Sequence, residues 1–194
     1  MSGLLGDVGY IRQFSGSPSV IATMVMLGLL VLAVVVLAPR RRTLLLLTGA
    51  SLAVVLGVTM VPWGGWRNFG LTTNALDSIT RNVRPERADL TAWAHAGDGP
   101  LNVILFVPLG FFLALLLRRP ITAALACVVL SVGIECYQSS LTTRVGDFTD
   151  VVANGLGAAA GAVLATLVLL VWRPGSRPPA PPARRTPVTT GGRY

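Results

Sequence analysis

Apolar residues fall in long blocks along this chain, and polar residues gather between the blocks. A helix that crosses a bilayer needs roughly 20 mainly apolar residues. Five blocks approach or reach that length, and Glu135 is the single charged side chain inside them. The predicted spans are Val20–Ala38, Thr43–Val61, Leu101–Leu117, Ile121–Leu141 and Val151–Trp172. This pattern predicts an all-α polytopic membrane bundle of about five transmembrane helices.

Two other interpretations of the blocks are disfavoured. A soluble helical bundle should carry a polar stripe on each helix, and these blocks carry none. A cleaved signal peptide has positive charge before its apolar stretch and small residues after it. Here Arg12 alone precedes the first block, whereas Arg40, Arg41 and Arg42 follow it. The first block is therefore expected to be a retained transmembrane helix.

Composition supports a membrane protein. Of the 194 residues 53% are hydrophobic and 12% are charged, against about 25% charged residues in ordinary globular domains. The net charge of +8 comes from arginine, because the chain contains no lysine. A basic balance can indicate nucleic-acid binding, but much of this positive charge lies at the edges of the spans. Anionic lipid headgroups are the simpler partner, and no nucleic-acid partner is expected.

Loop charges predict the orientation, since cytoplasmic loops are enriched in positive charge. With the N-terminus outside and the C-terminus inside, ten of the 16 arginines lie on the cytoplasmic side. The loop and helix-end acids then lie on or near the outer side: Asp7, Asp77, Glu86, Asp89, Asp98, Glu135, Asp147 and Asp150. Arginine without lysine, together with abundant alanine, valine and glycine, is typical of a GC-rich bacterial genome. The expected location is the bacterial cytoplasmic membrane.

The spans divide the chain into four parts. Residues 1–62 carry two transmembrane helices, and residues 63–100 form an external loop that contains His95, the single histidine. Residues 101–172 form a three-helix core. Residues 173–194 are rich in proline and arginine and are expected to form a disordered basic cytoplasmic tail.

Polar side chains near the outer ends of the last three spans form the candidate site. Glu135 and Gln138 are three residues apart and share a helix face. The turn that follows brings further polar residues at spacings of three, three and four, which would stack on one side if the turn were helical. The full set is Asn102, Glu135, Gln138, Arg144, Asp147, Asp150 and Asn154.

Glu135 carries the most information, because an ionised side chain inside a span costs roughly 2.5–3.5 kcal/mol and faces a bundle interior or an aqueous cavity. Two roles remain open for it. One is a buried tie to Arg144 or Gln138 that locks the helices together, and the other is membership of a binding cleft open to the outer face. One cluster can serve both roles.

Gly157 and Gly161 form a GxxxG in the last span. Small residues at this spacing allow close helix packing. Packing inside the core is favoured over a ligand site or a homodimer seam, and the oligomeric state is open.

Three ordered stretches carry a family resemblance. They read NVILFVPLG from Asn102, SVGIECYQ from Ser131 and RVGDFTDVVANGLG from Arg144. Together they resemble the N-x-x-x-F-x-P-L-G, S-x-x-I-E-x-x-Q and R-x-x-D-x-x-D-x-x-x-N-x-x-G signatures of VanZ-like membrane proteins. The family takes its name from a protein that lowers sensitivity to the glycopeptide teicoplanin. The resemblance therefore implies a role in the cell-envelope response to such antibiotics.

The favoured hypothesis is binding of a lipid-linked wall precursor or a lipoglycopeptide at the outward polar cluster. One alternative is an intramembrane enzyme for a lipid phosphate, in which Asp147 and Asp150 hold a divalent cation and Arg144 clamps the phosphate. Another is a small proton-coupled transporter that uses Glu135. Because the chain shows no nucleophile–base pair and no multi-histidine set, a non-enzymatic role is favoured. No metal site, cofactor or catalytic residue is assigned.

Overall fold

The structure is a computed structural model that describes residues 17–37, 41–87 and 99–171. Within these ranges it is all-helical, and five helices are long and apolar enough to cross a membrane. The helices are α1 (Pro18–Leu37), α2 (Arg42–Thr59), α3 (Ala75–Asn82), α4 (Gly99–Leu117), α5 (Pro120–Ser140) and α6 (Phe148–Val171). The predicted all-α membrane bundle with five spans is thus confirmed. The predicted tail, His95 and the span-end residues Ala38 and Trp172 lie outside the described residues.

The five long helices alternate in direction, which gives the bundle two distinct ends. At one end Arg41 donates from Nη1 to the carbonyl of Leu116, 2.6 Å away, joining the start of α2 to the end of α4. At the other end Arg144 donates to the carbonyl of Thr59, the last residue of α2, at 3.0 Å. We call these the arginine end and the polar end. The starts of α1, α4 and α6 and the ends of α2 and α5 meet at the polar end.

The closest helix contact joins α4 and α6, and glycine makes it possible. A Cβ on Gly157 would lie 2.1 Å from the carbonyl oxygen of Val103, and one on Gly161 would lie 2.1 Å from that of Val107. Both distances are well inside van der Waals contact, so only hydrogen fits there. The GxxxG therefore serves packing between two helices of the same chain, as favoured from the sequence.

The apolar core lies where α2, α4, α5 and α6 meet. Its fully buried members are Val55, Phe106, Leu109, Cys127, Ile134 and Ala158. Towards the arginine end the same helices pack through small residues, with Ala114, Ala123, Ala162 and Ala165 buried together. In contrast, α1 packs against α2 and leaves most of its apolar side chains exposed. Such side chains are suited to face lipid.

The connection between α2 and α4 contains more structure than the external loop predicted for residues 63–100. Short 3₁₀ turns at Trp66–Asn68 and Pro85–Arg87 flank α3. The helix α3 packs against α5, and the second turn contacts α6. Main-chain hydrogen bonds from Thr72 to Ser140 (2.9 Å) and from Thr142 to Gly70 (3.0 Å) fix the connection to the end of α5. The segment therefore lies against the polar end of the bundle.

Candidate functional site

Glu135 lies inside the bundle on α5, about 8 Å along the helix from its end at Ser140. Its side chain is 2% exposed. The Oε2 atom accepts a 2.9 Å hydrogen bond from the main-chain N–H of Asp147. Glu135 therefore holds the loop between α5 and α6, and the bond satisfies one of its buried carboxylate oxygens.

Asp147 begins α6. Its Oδ1 accepts from the main-chain N–H of Thr149 at 2.8 Å, and its carbonyl oxygen accepts from the N–H of Asp150 at 3.2 Å. An aspartate that accepts from the first turn in this way is a favoured N-cap. The acid Asp150 in the first turn also suits the positive end of the helix dipole. One residue thus links the buried Glu135 to the start of the last span.

The turn between α5 and α6 is not helical, so the stacked arrangement considered from the sequence does not form. Residues 141–147 contain no helix, and Gly146 packs onto the end of α5. A Cβ on Gly146 would lie 2.1 Å from the carbonyl oxygen of Glu135 and 2.5 Å from the Oγ of Ser139. This close approach requires glycine and turns the chain so that Arg144 and Asp147 reach different partners.

Arg144 reaches the end of α2. Its Nη1 lies 3.0 Å from the carbonyl oxygens of Thr59 and Val61, and its guanidinium lies 5.9 Å from the ring centroid of Trp63. The last carbonyls of a helix have no partners within the helix and carry the negative end of its dipole. A guanidinium is well suited to this position because it is always charged and carries five N–H donors.

Two side chains of α5 complete the same capping arrangement. Gln138 donates from Nε2 to the carbonyl of Thr59 at 3.0 Å, and Tyr137 donates from its hydroxyl to the carbonyl of Met60 at 3.0 Å. The end of α2 is therefore held by α5 and by the loop after α5. Tyr137 was not among the residues predicted from the sequence.

The remaining two predicted residues join α6 to its neighbours. Asn102 on α4 donates from Nδ2 to the Oδ1 of Asp150 at 2.6 Å. Asn154 donates from Nδ2 to the Oγ of Ser131 on α5 at 2.8 Å. The Oδ1 of Asn154 is buried without a hydrogen-bond partner, as is the Oγ of Ser139. An unsatisfied buried acceptor costs about 1–3 kcal/mol. Each of these two oxygens therefore lowers the stability of the fold by about that amount.

The seven predicted residues therefore all lie at the polar end or just inside it, and exposure divides them into two layers. Glu135, Gln138 and Asn154 are buried among the helices. Asp147 is exposed, and Asn102, Arg144 and Asp150 are half-buried. The inner layer fixes the helices and the loop, and the outer layer presents two carboxylates, an amide and a guanidinium at the bundle surface. Such a surface can exchange hydrogen bonds with hydroxyl, amide and amine groups.

Several residues of this arrangement carry no signal in the sequence. The acceptors at Thr59, Met60 and Val61 are main-chain carbonyls, which every residue has. Ser139 is a small polar residue in an apolar helix, where serine commonly bonds its own helix. Trp63 follows Pro62 directly after the second span, which is a common place for tryptophan in membrane proteins.

A family model described as VanZ/LLP1 matches residues 25–170, which extend from within α1 almost to the end of α6. The match is wider than the three motifs, which lie between Asn102 and Gly157. No curated protein and no solved structure matches the chain.

Proposed function

This chain belongs to the VanZ/LLP1 family, and we propose that it binds the headgroup of a lipid-linked cell-envelope molecule at its polar end. Binding there modulates the response of the cell to glycopeptide antibiotics of the teicoplanin type. The ligand is a polyprenyl-linked wall precursor or an acylated glycopeptide. These molecules share an apolar chain that enters the bilayer and a headgroup rich in hydroxyl, amide and charged groups.

The observation that carries the proposal is the two-layer arrangement at the polar end. Asp147 is exposed, and its position is fixed by the hydrogen bond between its main-chain N–H and the buried Glu135. Preorganised polar groups bind a ligand better than mobile ones, because less side-chain and loop entropy is lost on association. The outer layer is therefore suited to contact a headgroup, and the inner layer acts by positioning it.

The charged side chains of the outer layer indicate which groups of a headgroup can bind there. Arg144 holds the carbonyls at the end of α2. The most exposed charge of the outer layer is the carboxylate of Asp147. We therefore assign to Asp147 the contact with a ligand hydroxyl or ammonium group. A hydrogen bond that involves a charged partner is shorter and roughly twice as strong as a neutral one.

The polar end is assigned to the outer face of the bacterial cytoplasmic membrane. The exposed residues Arg42, Arg118 and Arg119 lie at the arginine end. Positive charge in short loops is typical of the cytoplasmic side. This orientation places the outer layer on the side where glycopeptides and finished wall precursors meet the cell.

The direct test is binding by the full chain in nanodiscs of defined lipid composition. The probes are a polyprenyl-diphosphate-linked disaccharide pentapeptide and teicoplanin. We expect saturable binding of at least one probe and a loss of about tenfold or more in Asp147→Asn, from the weaker hydrogen bond of a neutral group. Asparagine is as good an N-cap as aspartate, so this variant should keep the start of α6 intact.

The matched control is Asp77→Asn, which removes another exposed acid from the connection at the same end of the bundle. It should bind like the unmodified chain. Equal binding by Asp147→Asn and the unmodified chain would contradict the assignment of the site. Failure of both probes to saturate would contradict the proposed ligand class, whereas conversion of the bound precursor would show an enzyme instead.

A cellular test measures susceptibility of a deletion strain to teicoplanin and vancomycin. Complementation with the unmodified chain should protect selectively against teicoplanin, and Asp147→Asn should protect less at equal membrane abundance. Unchanged susceptibility with every variant would show that the antibiotic response is not a function of this chain.

A further inference from the structure

Among its described residues, the connection between α2 and α4 exposes five large apolar side chains. Trp63, Trp66 and Phe69 are 42%, 43% and 49% exposed, and Leu71 and Leu76 are 61% and 80% exposed. We call these five side chains the aromatic rim. The five lie within 14 positions of the chain, and the rings of Trp66 and Phe69 lie 6.2 Å apart. Clustered exposed apolar groups mark interaction sites on protein surfaces.

The rim lies level with the ends of the transmembrane helices. The Nε1 of Trp66 donates to the Oγ1 of Thr23 at 2.8 Å. Thr23 is about 8 Å along α1 from its first residue, Pro18. The main chain at Leu71 pairs with Leu141, just beyond the end of α5. The rim is therefore tied to α1 within two turns of its start and to the residue just beyond the end of α5.

Exposed arginines accompany the rim. Arg67 lies between Trp66 and Phe69, and Arg84 follows α3; both side chains are exposed. Arg81 forms a 3.0 Å ion pair with Asp77 on the outer face of α3. Among residues 63–87 four arginines outnumber two acids, Asp77 and Glu86. This local excess of positive charge next to tryptophan and leucine matches an anionic lipid surface, where headgroups meet the arginines and acyl chains meet the apolar side chains.

We propose that the aromatic rim, with Arg67 and Arg84, is a binding surface for anionic phospholipids, and that it holds the connection flat in the headgroup region at the polar end. Tryptophan is enriched in this layer of membrane proteins because its ring is apolar and its N–H is polar. The rim touches the seven-residue cluster where Trp63 lies 5.9 Å from the Arg144 guanidinium. Because Arg67 and Arg84 are not members of that cluster, the inference does not rest on the proposed ligand.

Tryptophan fluorescence of the full chain in liposomes tests the depth of the rim. The chain has four tryptophans, and replacement of Trp63, Trp93 and Trp172 by phenylalanine leaves Trp66 as the reporter. Lipids with a spin label near the headgroup should quench Trp66 more strongly than lipids labelled deep in the acyl chain.

The matched control is a chain whose four native tryptophans are phenylalanine and that carries Leu164→Trp, at an exposed position on α6. Lipids labelled deep in the acyl chain should quench this tryptophan more strongly than lipids labelled near the headgroup.

The second arm tests the choice of lipid. Spin-labelled phosphatidylglycerol should quench Trp66 more than spin-labelled phosphatidylcholine at the same mole fraction. One arginine near an anionic surface contributes up to about fivefold in local enrichment. The double variant Arg67→Gln/Arg84→Gln should lower this ratio towards one while the depth profile stays. Equal quenching by both lipids in the unmodified chain would overturn the preference for anionic headgroups.

Other occupants of the rim give different results. Strong quenching of Trp66 by aqueous acrylamide, with little quenching by either labelled lipid, would show that the connection projects into water. Resistance to both acrylamide and labelled lipids would show that protein covers the rim. If quenching by lipid then returns on dilution of the protein in the membrane, the cover is a second copy of the chain. Each of these results overturns the proposal.

Discussion

Glu135 and Asp147 are joined by a hydrogen bond of 2.9 Å from the main-chain N–H of Asp147 to the Oε2 of Glu135. The bond runs from inside one transmembrane helix to the residue that caps the next. Asp147 in turn accepts from Thr149 in the first turn of α6. The acid inside one membrane span therefore holds the residue that caps the following span, whatever ligand the polar end binds.

Replacement of Glu135 by glutamine should preserve the stability of the fold, whereas replacement by alanine should lower it. Glutamine retains a side-chain oxygen that can accept from the N–H of Asp147. Alanine removes the acceptor, and an unpaired, partly buried N–H costs about 1–3 kcal/mol. We expect a lower melting temperature in detergent and lower membrane abundance for Glu135→Ala, and values near those of the unmodified chain for Glu135→Gln.

Equal loss of stability in both variants would show that the charge of Glu135, and not its capacity as an acceptor, holds the loop. If neither variant loses stability, the bond to Asp147 contributes little. In that case, a selective loss of antibiotic protection would point to direct contact between Glu135 and the ligand.

Arg144 should contribute to stability through the end of α2. Arg144→Ala removes the donor shared by the carbonyls of Thr59 and Val61, and hydrogen bonds to charged groups contribute about 1.5–3 kcal/mol. We expect a loss of that order, measured by thermal unfolding in detergent. Arg119→Ala is the control, because its side chain is exposed at the opposite end of the bundle. An unchanged melting temperature for Arg144→Ala would show that the cap is dispensable.

The spans could be predicted from the sequence because their cause is composition. Each needs a long apolar segment, and the described helix ends lie within three residues of the predicted ones. The helix α3 could not be predicted in the same way. It has only eight residues, too few to show a reliable period, and it is fixed by contact with α5. Short helices depend on tertiary packing more than on their own sequence.

The candidate cluster could be located from its residue types but not resolved into contacts. Polar residues near the same end of three neighbouring spans were expected to lie close together, and in the structure they do. Arg144, however, donates to main-chain carbonyls at the end of α2. Because every residue has such a carbonyl, the sequence does not indicate which of them accept. The separate directions of Arg144 and Asp147 depend on Gly146, whose close approach to the end of α5 becomes visible only in three dimensions.

Gly146→Ala should distort this turn. The new Cβ would meet the carbonyl oxygen of Glu135 at 2.1 Å and the Oγ of Ser139 at 2.5 Å. Because a main-chain atom cannot move alone, the loop must shift, and overpacking of this kind costs about 1–3 kcal/mol. The expected result is a lower melting temperature and weaker binding of whichever probe the unmodified chain binds.

The control for Gly146→Ala is Gly133→Ala on α5, where an added Cβ meets nothing within 4 Å. That change should be neutral or slightly stabilising, since alanine is a better helix former than glycine by about 1 kcal/mol. Tolerance of Gly146→Ala to the same degree would show that the turn is looser than the structure indicates.

The orientation of the bundle can be tested by cysteine labelling in intact cells. The two native cysteines, Cys127 and Cys136, are first replaced by alanine. Asp77→Cys then reports on the polar end, and Arg119→Cys reports on the arginine end; both side chains are exposed. If the arginine end is cytoplasmic, as the distribution of positive charge indicates, an impermeant maleimide should label Asp77→Cys in intact cells. It should label Arg119→Cys only after permeabilisation.

The reverse pattern would place the polar end in the cytoplasm and exclude direct binding of an external glycopeptide there. Labelling of both positions in intact cells would contradict placement of the two ends on opposite sides of the membrane.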